Sequence, residues 1–262
     1  VSQPTRGGSQ NAPAQPSDPS VAAHRACVES DRLMGAVDVP LGNWYPPNHS
    51  VSTSEPAAIP QDRRSKCAAM LAELRERHDR ECPHCTAVSS HQRTVFGEGD
   101  PCARLMFVGE APGETEDTLG RPFVGKAGRK LDEMIQAIGL RREDCYIANV
   151  LKSRPPDNRA PLPLEIERCS PYLVEQLLII RPSVIMTLGG PATKMLMNTD
   201  VGIMKLRGEW SQWVAPLGSP IVSIPLMPTF HPAYLIRNYT IETRTQVWSD
   251  LKAVMHRLAE SA

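Results

Sequence analysis

The chain has 262 residues, 41% of them hydrophobic and 22% charged, and its 29 Lys and Arg balance its 29 Asp and Glu. That is the composition of a soluble globular protein with room for one large domain or two small ones, and zero net charge gives no global argument for nucleic acid. No apolar run approaches the ~18 residues of a membrane span and the start lacks a basic-then-apolar secretory pattern, so a cytoplasmic location is expected.

Residues 1–61 carry nine prolines among many Ser, Ala and Gln, with no sustained periodicity. They read as a disordered tail suited to tethering or partner contact; residues 62–262 then form the folded domain. From Asp62 to Arg80 the pattern turns helical, with Met70, Leu71 and Leu74 apolar among charges. Cys82-Pro-His-Cys85 follows. Its C-x-x-C spacing lets two thiolates meet one metal centre, and fits zinc, redox chemistry or iron–sulfur equally. Seven cysteines in all, an odd count without a secretory leader, argue against a disulfide framework.

A regular alternation comes next. Strands are predicted at 104–109 (RLMFVG), 145–151 (CYIANVL), 183–189 (SVIMTLG) and 221–226 (IVSIPL), with an irregular segment around Trp210 and Trp213 before the last. Helices are predicted at 126–138 (ended by Gly139), 164–180 (kinked or restarted at Ser170-Pro171), 191–197 and 242–260. Strands alternating with helices give an α/β fold, a three-layer α/β/α sandwich around a four-stranded, mainly parallel sheet.

Such sheets bind ligands beyond the carboxyl ends of their strands. Four polar loops rich in Gly or Pro leave those ends: GEAPGETEDTLGRPF, LKSRPPDNR, LGG and PTFHPAYLIRN. Each unusual residue in them has an ordinary alternative. Glu110, Glu116 and Asp117 can orient water or merely cap a helix. Phe123 can stack on a base or plug a core. The Asn149 amide offers donor and acceptor together, as the edge of a pyrimidine requires, or it satisfies backbone. His231, restrained between Phe230 and Pro232, can hydrogen-bond a leaving base or be structural. Gly109 and Gly113 bracket Pro112 and permit close backbone approach. Residues 121–159 hold nine Lys and Arg against five Asp and Glu, and Arg154, Arg159, Arg207 and Arg237 are placed to hold phosphates. G-x-G-x-x-G and Walker A sequences are absent, so no nucleotide cofactor is expected.

Taken together, GEAPGETEDTLGRPFVGKAG, YIANVLKSRPPDNRAP, TLGGPAT and PTFHPAYLIR resemble the family 4 uracil-DNA glycosylases in order and spacing, over about residues 82–256. The resemblance implies a DNA repair enzyme that flips uracil out of DNA and hydrolyses its N-glycosidic bond, leaving an abasic site. It implies Glu110 and Asn158 at the water, with Ala111 where related families carry Asp. Phe123, Asn149 and Gly109 would form the uracil site, with Glu116 guarding against thymine. His231 would stabilise the departing uracil anion. Residues Ala233–Arg237 would enter the minor groove, with Leu235 or Tyr234 as the wedge. The family also binds a [4Fe–4S] cluster through four cysteines. Cys82, Cys85 and Cys169 fit that pattern, but the fourth position is Ser153, so a labile or atypical cluster is expected. Two alternatives remain open: a DNA-binding relative that has lost cluster and catalysis, and a glycosylase for another deaminated base such as hypoxanthine. The expected partners are uracil-containing DNA and, through the tail, replication or repair proteins, with the chain a monomer and no membrane involved.

Overall fold

Residues 60–88 and 90–261 are described by a computed structural model. The tail expected to be disordered falls almost wholly outside the described residues. Helix α1 runs Gln61–Glu81 and buries Cys67, Leu71, Leu74 and His78, a stripe at helical spacing. Met70, expected on that face, is 42% exposed, because it lies about 100° around the helix from Leu71. Cys82 takes extended φ/ψ ahead of Pro83, and the helix stops there.

The sheet has six strands in the order β1-β3-β2-β4-β6-β5. Its centre is the expected parallel set: β3 (Tyr146–Asn149), β2 (Leu105–Gly109), β4 (Val184–Leu188) and β6 (Ser223–Thr229). Two antiparallel edge strands complete it, β1 (Glu98–Gly99) on β3 and β5 (Ser211–Val214) on β6. The segment around Trp213 is therefore ordered as an edge strand, with Trp213 buried and its neighbours turned outward.

Alternate residues of the central strands face opposite layers. Leu105, Phe107, Ile147 and Met186 pack on α3 (Lys126–Ala137) and α8 (Ile241–Glu260). Met106, Val108, Ala148 and Ile185 pack on Leu71 of α1, on α4 (Pro163–Ile180) and on α5 (Gly190–Met197). The helix does not restart at Ser170-Pro171: α4 runs continuously through Pro171, with buried Cys169, Leu173 and Leu177 on either side of it. Among the described residues there are also three short α-helices, α2 (Glu114–Leu119), α6 (Ile203–Leu206) and α7 (Pro232–Arg237), and two 3-10 turns, Arg142–Asp144 and Pro156–Asn158. No described helix is long and apolar enough to cross a membrane.

Candidate active site and a buried cysteine cluster

The four parallel strands end on one rim, and a cavity of about 460 Å³ opens there. Its wall brings together Glu110, Glu116, Phe123, Asn149, Asn158, Arg159, His231 and Arg237, which come from all but one of the polar loops. The remaining loop contributes Gly189 and Gly190. A cavity of this size suits a small ligand such as one nucleotide base with its sugar.

Gly109 and Asn149 are paired neighbours on β2 and β3. A Cβ on Gly109 would lie 2.4 Å from Asn149 Oδ1 and 2.5 Å from Phe123 Cζ, so only glycine lets the amide and the ring close in. Gly128 of α3 does the same one layer out, where an added Cβ would sit 2.0 Å from the Phe123 carbonyl oxygen. Phe123 itself adopts φ 49°, a left-handed conformation that is costly for an aromatic residue and is maintained here by surrounding packing.

Asn149 is 1% exposed, and its Oδ1 has no hydrogen-bond partner among the described residues. A buried acceptor left without a donor is destabilising by about 1–3 kcal/mol, which a ligand N–H would remove. The position of Asn149 is set from behind by Lys152, whose fully buried ammonium donates to the Asn149 carbonyl (2.8 Å) and to Gln176 Oε1 (2.6 Å). Burial pulls the Lys152 pKa down to about 8.

His231 caps α7: its Nδ1 accepts the Ala233 N–H at 3.1 Å. In the neutral ring the proton therefore sits on Nε2. Burial, with Arg237 nearby, pushes the pKa down to about 4, so the ring is neutral at pH 7. The Phe123 and His231 rings lie 5.6 Å apart, centroid to centroid. Burial alone raises the Glu110 pKa. Glu116 Oε1 accepts from the backbone N–H groups of Val124 and Gly125 (both 2.8 Å), while its Oε2 occupies the room that a side chain at Gly113 would need.

Several expected DNA contacts are placed differently. Arg207 donates to buried Asp250 and to the Gln246 carbonyl and stacks on Phe230; it is a structural cation away from the cavity. Leu235 is 1% exposed in the core and cannot act as a wedge from that position; the exposed apolar side chain of α7 is Ile236, 40% exposed. Tyr234 is half-buried against Phe230. Arg159 pairs with Glu165 through two hydrogen bonds (2.6 and 2.8 Å), which hold the Glu165 pKa down at about 2. Arg154 donates to Asn158 Oδ1 at 2.8 Å. Arg237 makes no hydrogen bond or ion pair among the described residues. Nor is the basic stretch 121–159 an open stripe: Arg121 and Arg142 share Glu98, Arg141 pairs with Asp144, Lys130 with Glu133, and Lys152 is buried.

On the opposite side of Lys152, Cys82, Cys85 and Cys169 converge in a small core with Leu74, Phe96 and Tyr172. Cys85 and Cys169 sulfurs lie 3.8 Å apart, Ser153 Oγ accepts from Cys85 at 3.3 Å, and Cys169 Sγ accepts the Lys152 N–H at 3.3 Å. Hydrogen bonds from Cys169 and Cys85 pull the Cys82 thiol strongly down, while those Cys85 makes with Cys169 and Cys82, and its burial, push Cys85 up. Soft sulfur donors converging this closely in a buried pocket could hold a metal ion. A fourth donor, His78, joins them: one nitrogen of its ring and the three sulfurs all lie within 4.8 Å of one another. Sequence reasoning missed it, because RERHDRE reads as a solvated helix; the signal was the i, i+4 spacing of His78 and Cys82. Cys145 lies immediately before β3 and belongs to the other core layer, Cys67 donates to the Ile179 carbonyl, and Cys27 lies outside the described residues.

Residues 96–252 match the Uracil DNA glycosylase superfamily. The chain is 42% identical over 183 residues to the type-4 uracil-DNA glycosylase of Thermotoga maritima, covering 70% of this chain and 92% of that protein. Against the Archaeoglobus fulgidus type-4 uracil-DNA glycosylase it is 42% identical over 180 residues, 66% of this chain and 86% of that one. With the Sulfurisphaera tokodaii type-4 uracil-DNA glycosylase the identity is 46% over 162 residues, 60% and 72% of the two chains.

Proposed function

The chain belongs to the uracil DNA glycosylase superfamily, and on that premise we propose that it removes uracil from DNA by hydrolysing the N-glycosidic bond of a flipped-out deoxyuridine. The observation that carries this reading is the unpartnered Oδ1 of Asn149 beside the Phe123 ring, in the same cavity as a neutral His231.

Uracil offers N3–H and O4 on one edge. Asn149 Oδ1 accepts the first, and its amide N–H groups donate to the second, while the base face lies on Phe123. As the C1′–N1 bond breaks, negative charge moves onto the base and positive charge onto the sugar. His231, neutral with its proton on Nε2, donates a hydrogen bond to O2 of the departing anion and keeps that proton, so uracil leaves as the anion. Glu110 orients the water whose oxygen bonds C1′ and takes up the proton released. Asn158, its Oδ1 held by Arg154, has its amide nitrogen left to direct the same water. Glu116, fixed by two backbone donors, supports exclusion of the C5 methyl of thymine. Arg237 is the cation best supported as a phosphate contact, and Ile236 the best-supported apolar contact on the DNA side of α7.

The three cysteines are read as a metal centre, an iron–sulfur cluster in keeping with the family resemblance. Soft thiolates are the right donor type for it, whereas their spacing, 3.8 Å between Cys85 and Cys169 within a donor set spanning 4.8 Å, matches a single tetrahedral ion, so a cluster would require the sulfurs to spread. Bound there, such a group would be held by Cys82, Cys85 and Cys169 and would tie the turn after α1 to α4.

Single-turnover incubation with oligonucleotides containing uracil, hypoxanthine or thymine tests the reading. Release of uracil with thymine untouched is expected. Binding without release of any base would overturn it, and faster release of hypoxanthine would reassign the substrate.

A further inference from the structure

The donor set around the cysteines contains one group that the family resemblance does not supply. We infer that His78, through Nε2, is the fourth protein ligand of the metal centre, in place of the thiol absent at Ser153. This rests on reading Cys82, Cys85 and Cys169 as a metal centre.

His78 is fully buried, at 0% exposure, and its Nε2 makes no hydrogen bond of normal geometry among the described residues; the polar group it faces is the Cys82 sulfur. An imidazole nitrogen left bare in a core is destabilising unless something fills its coordination position. The ring is not free to turn away. It lies edge-on to Tyr172 at 4.8 Å between centroids and tilted against Phe96 at 5.8 Å. Its Nδ1 lies 2.8 Å from Asp79 Oδ1, and Thr94 Oγ1 donates to the same carboxylate oxygen at 2.8 Å. A carboxylate can only accept, so Nδ1 carries the hydrogen and Nε2 presents a lone pair. That is the arrangement that supports histidine on a metal.

His78 is also one helical turn before Cys82, and the Cys82 N–H bonds back to the His78 carbonyl, so both face the site from the end of α1. Ser153 is the weaker competitor. Its hydroxyl is already an acceptor for Cys85, and an alcohol is a harder and far less acidic donor than a thiol. Imidazole in place of thiolate is a known substitution on iron–sulfur centres and raises their potential.

The test uses the full chain, purified without oxygen, as wild type and as His78→Ala, His78→Cys, Ser153→Ala and Asp79→Asn. Iron, acid-labile sulfide and zinc are assayed per chain, with circular dichroism as a fold check. Wild type and Ser153→Ala should retain the metal. His78→Ala should lose most of it, His78→Cys should regain it, and Asp79→Asn should hold it about 10–100-fold more weakly. If iron is present, reduced protein carrying ¹⁵N-histidine should show a nitrogen coupling to the unpaired spin that disappears in His78→Cys. That comparison also separates His78 from His84, the buried histidine between Cys82 and Cys85, whose Nε2 also lacks a partner among the described residues but which lies outside the four-donor group. Full metal content in folded His78→Ala, or a coupling unchanged in His78→Cys, would overturn the assignment. Zinc in place of iron, lost in His78→Ala and regained in His78→Cys, would support His78 and overturn the iron–sulfur reading. Wild-type protein with neither metal would overturn both.

Discussion

Gly109 and Asn149 stand side by side on neighbouring parallel strands with no room for a carbon atom between them, since a Cβ on Gly109 would lie 2.4 Å from Asn149 Oδ1. Gly109→Ala should push the amide and the Phe123 ring out of line while the sheet survives. Displacements near 1 Å can cost about 100-fold in rate. Single-turnover uracil release should fall by at least that factor with a cooperative thermal transition retained; a rate within a few-fold of wild type would show that the pair does not read the base.

His231→Ala and Asn149→Ala should each slow uracil release by about 10²–10³-fold, the scale for losing one donor to a developing anion. Both should remain folded by circular dichroism. Unchanged release in both variants would remove these residues from the chemistry.

The pH dependence of release separates Glu110 from His231. His231 stays neutral down to about pH 4, whereas burial raises Glu110 above the ordinary carboxylate range. On acidification the first loss of rate should follow protonation of Glu110. In Glu110→Gln the residual rate should be low and flat across that limb. An unchanged acid limb in Glu110→Gln would assign it to another group.

His231 also links stability to pH. Its folded pKa of about 4 lies below the ~6.5 of an exposed imidazole, so the unfolded chain takes up the proton first. The stability tied to the neutral ring is complete above pH 6.5 and is lost as pH falls toward 4, by up to about 3 kcal/mol. Denaturant melts at pH 7.5 and pH 4.5 should show a smaller acid loss in His231→Asn than in wild type.

Arg207 and Arg237 should respond in opposite ways. Arg207→Ala strands the buried carboxylate of Asp250, a change that typically costs about 3–5 kcal/mol. It should lower the melting temperature and leave the salt dependence of DNA binding alone. Arg237→Ala should weaken DNA binding and shallow that dependence by about one unit without lowering stability. The reverse pattern would return Arg207 to the DNA surface.

Much of the architecture was legible because buried parallel strands read as short apolar runs, as RLMFVG and SVIMTLG do, and because α3 and α8 keep apolar residues at helical spacing. The edge strands were hidden for a physical reason: Glu98–Gly99 has two residues, and Ser211–Val214 buries one side chain. Helix α2 was masked by its Gly-Pro approach. The pocket residues were legible as types that loops gather, but the use of each cation was not. Whether an arginine meets a phosphate or an internal carboxylate depends on partners such as Asp250 and Glu165, distant in sequence or set by a turn. Leu235 looked like a wedge because a short helix does not reveal which side faces inward.

Lys152 links two neighbourhoods that sequence reading treats separately. Its ammonium fixes the strand segment that bears Asn149, the proposed reader of uracil, and its own amide donates to a cysteine of the buried cluster. Efforts to harden the sulfur site against oxygen, or to retune the base preference, will therefore meet at this residue, and each will be felt by the other. On the proposed reading, base recognition and the cysteine cluster are mechanically joined within a few residues of one strand exit.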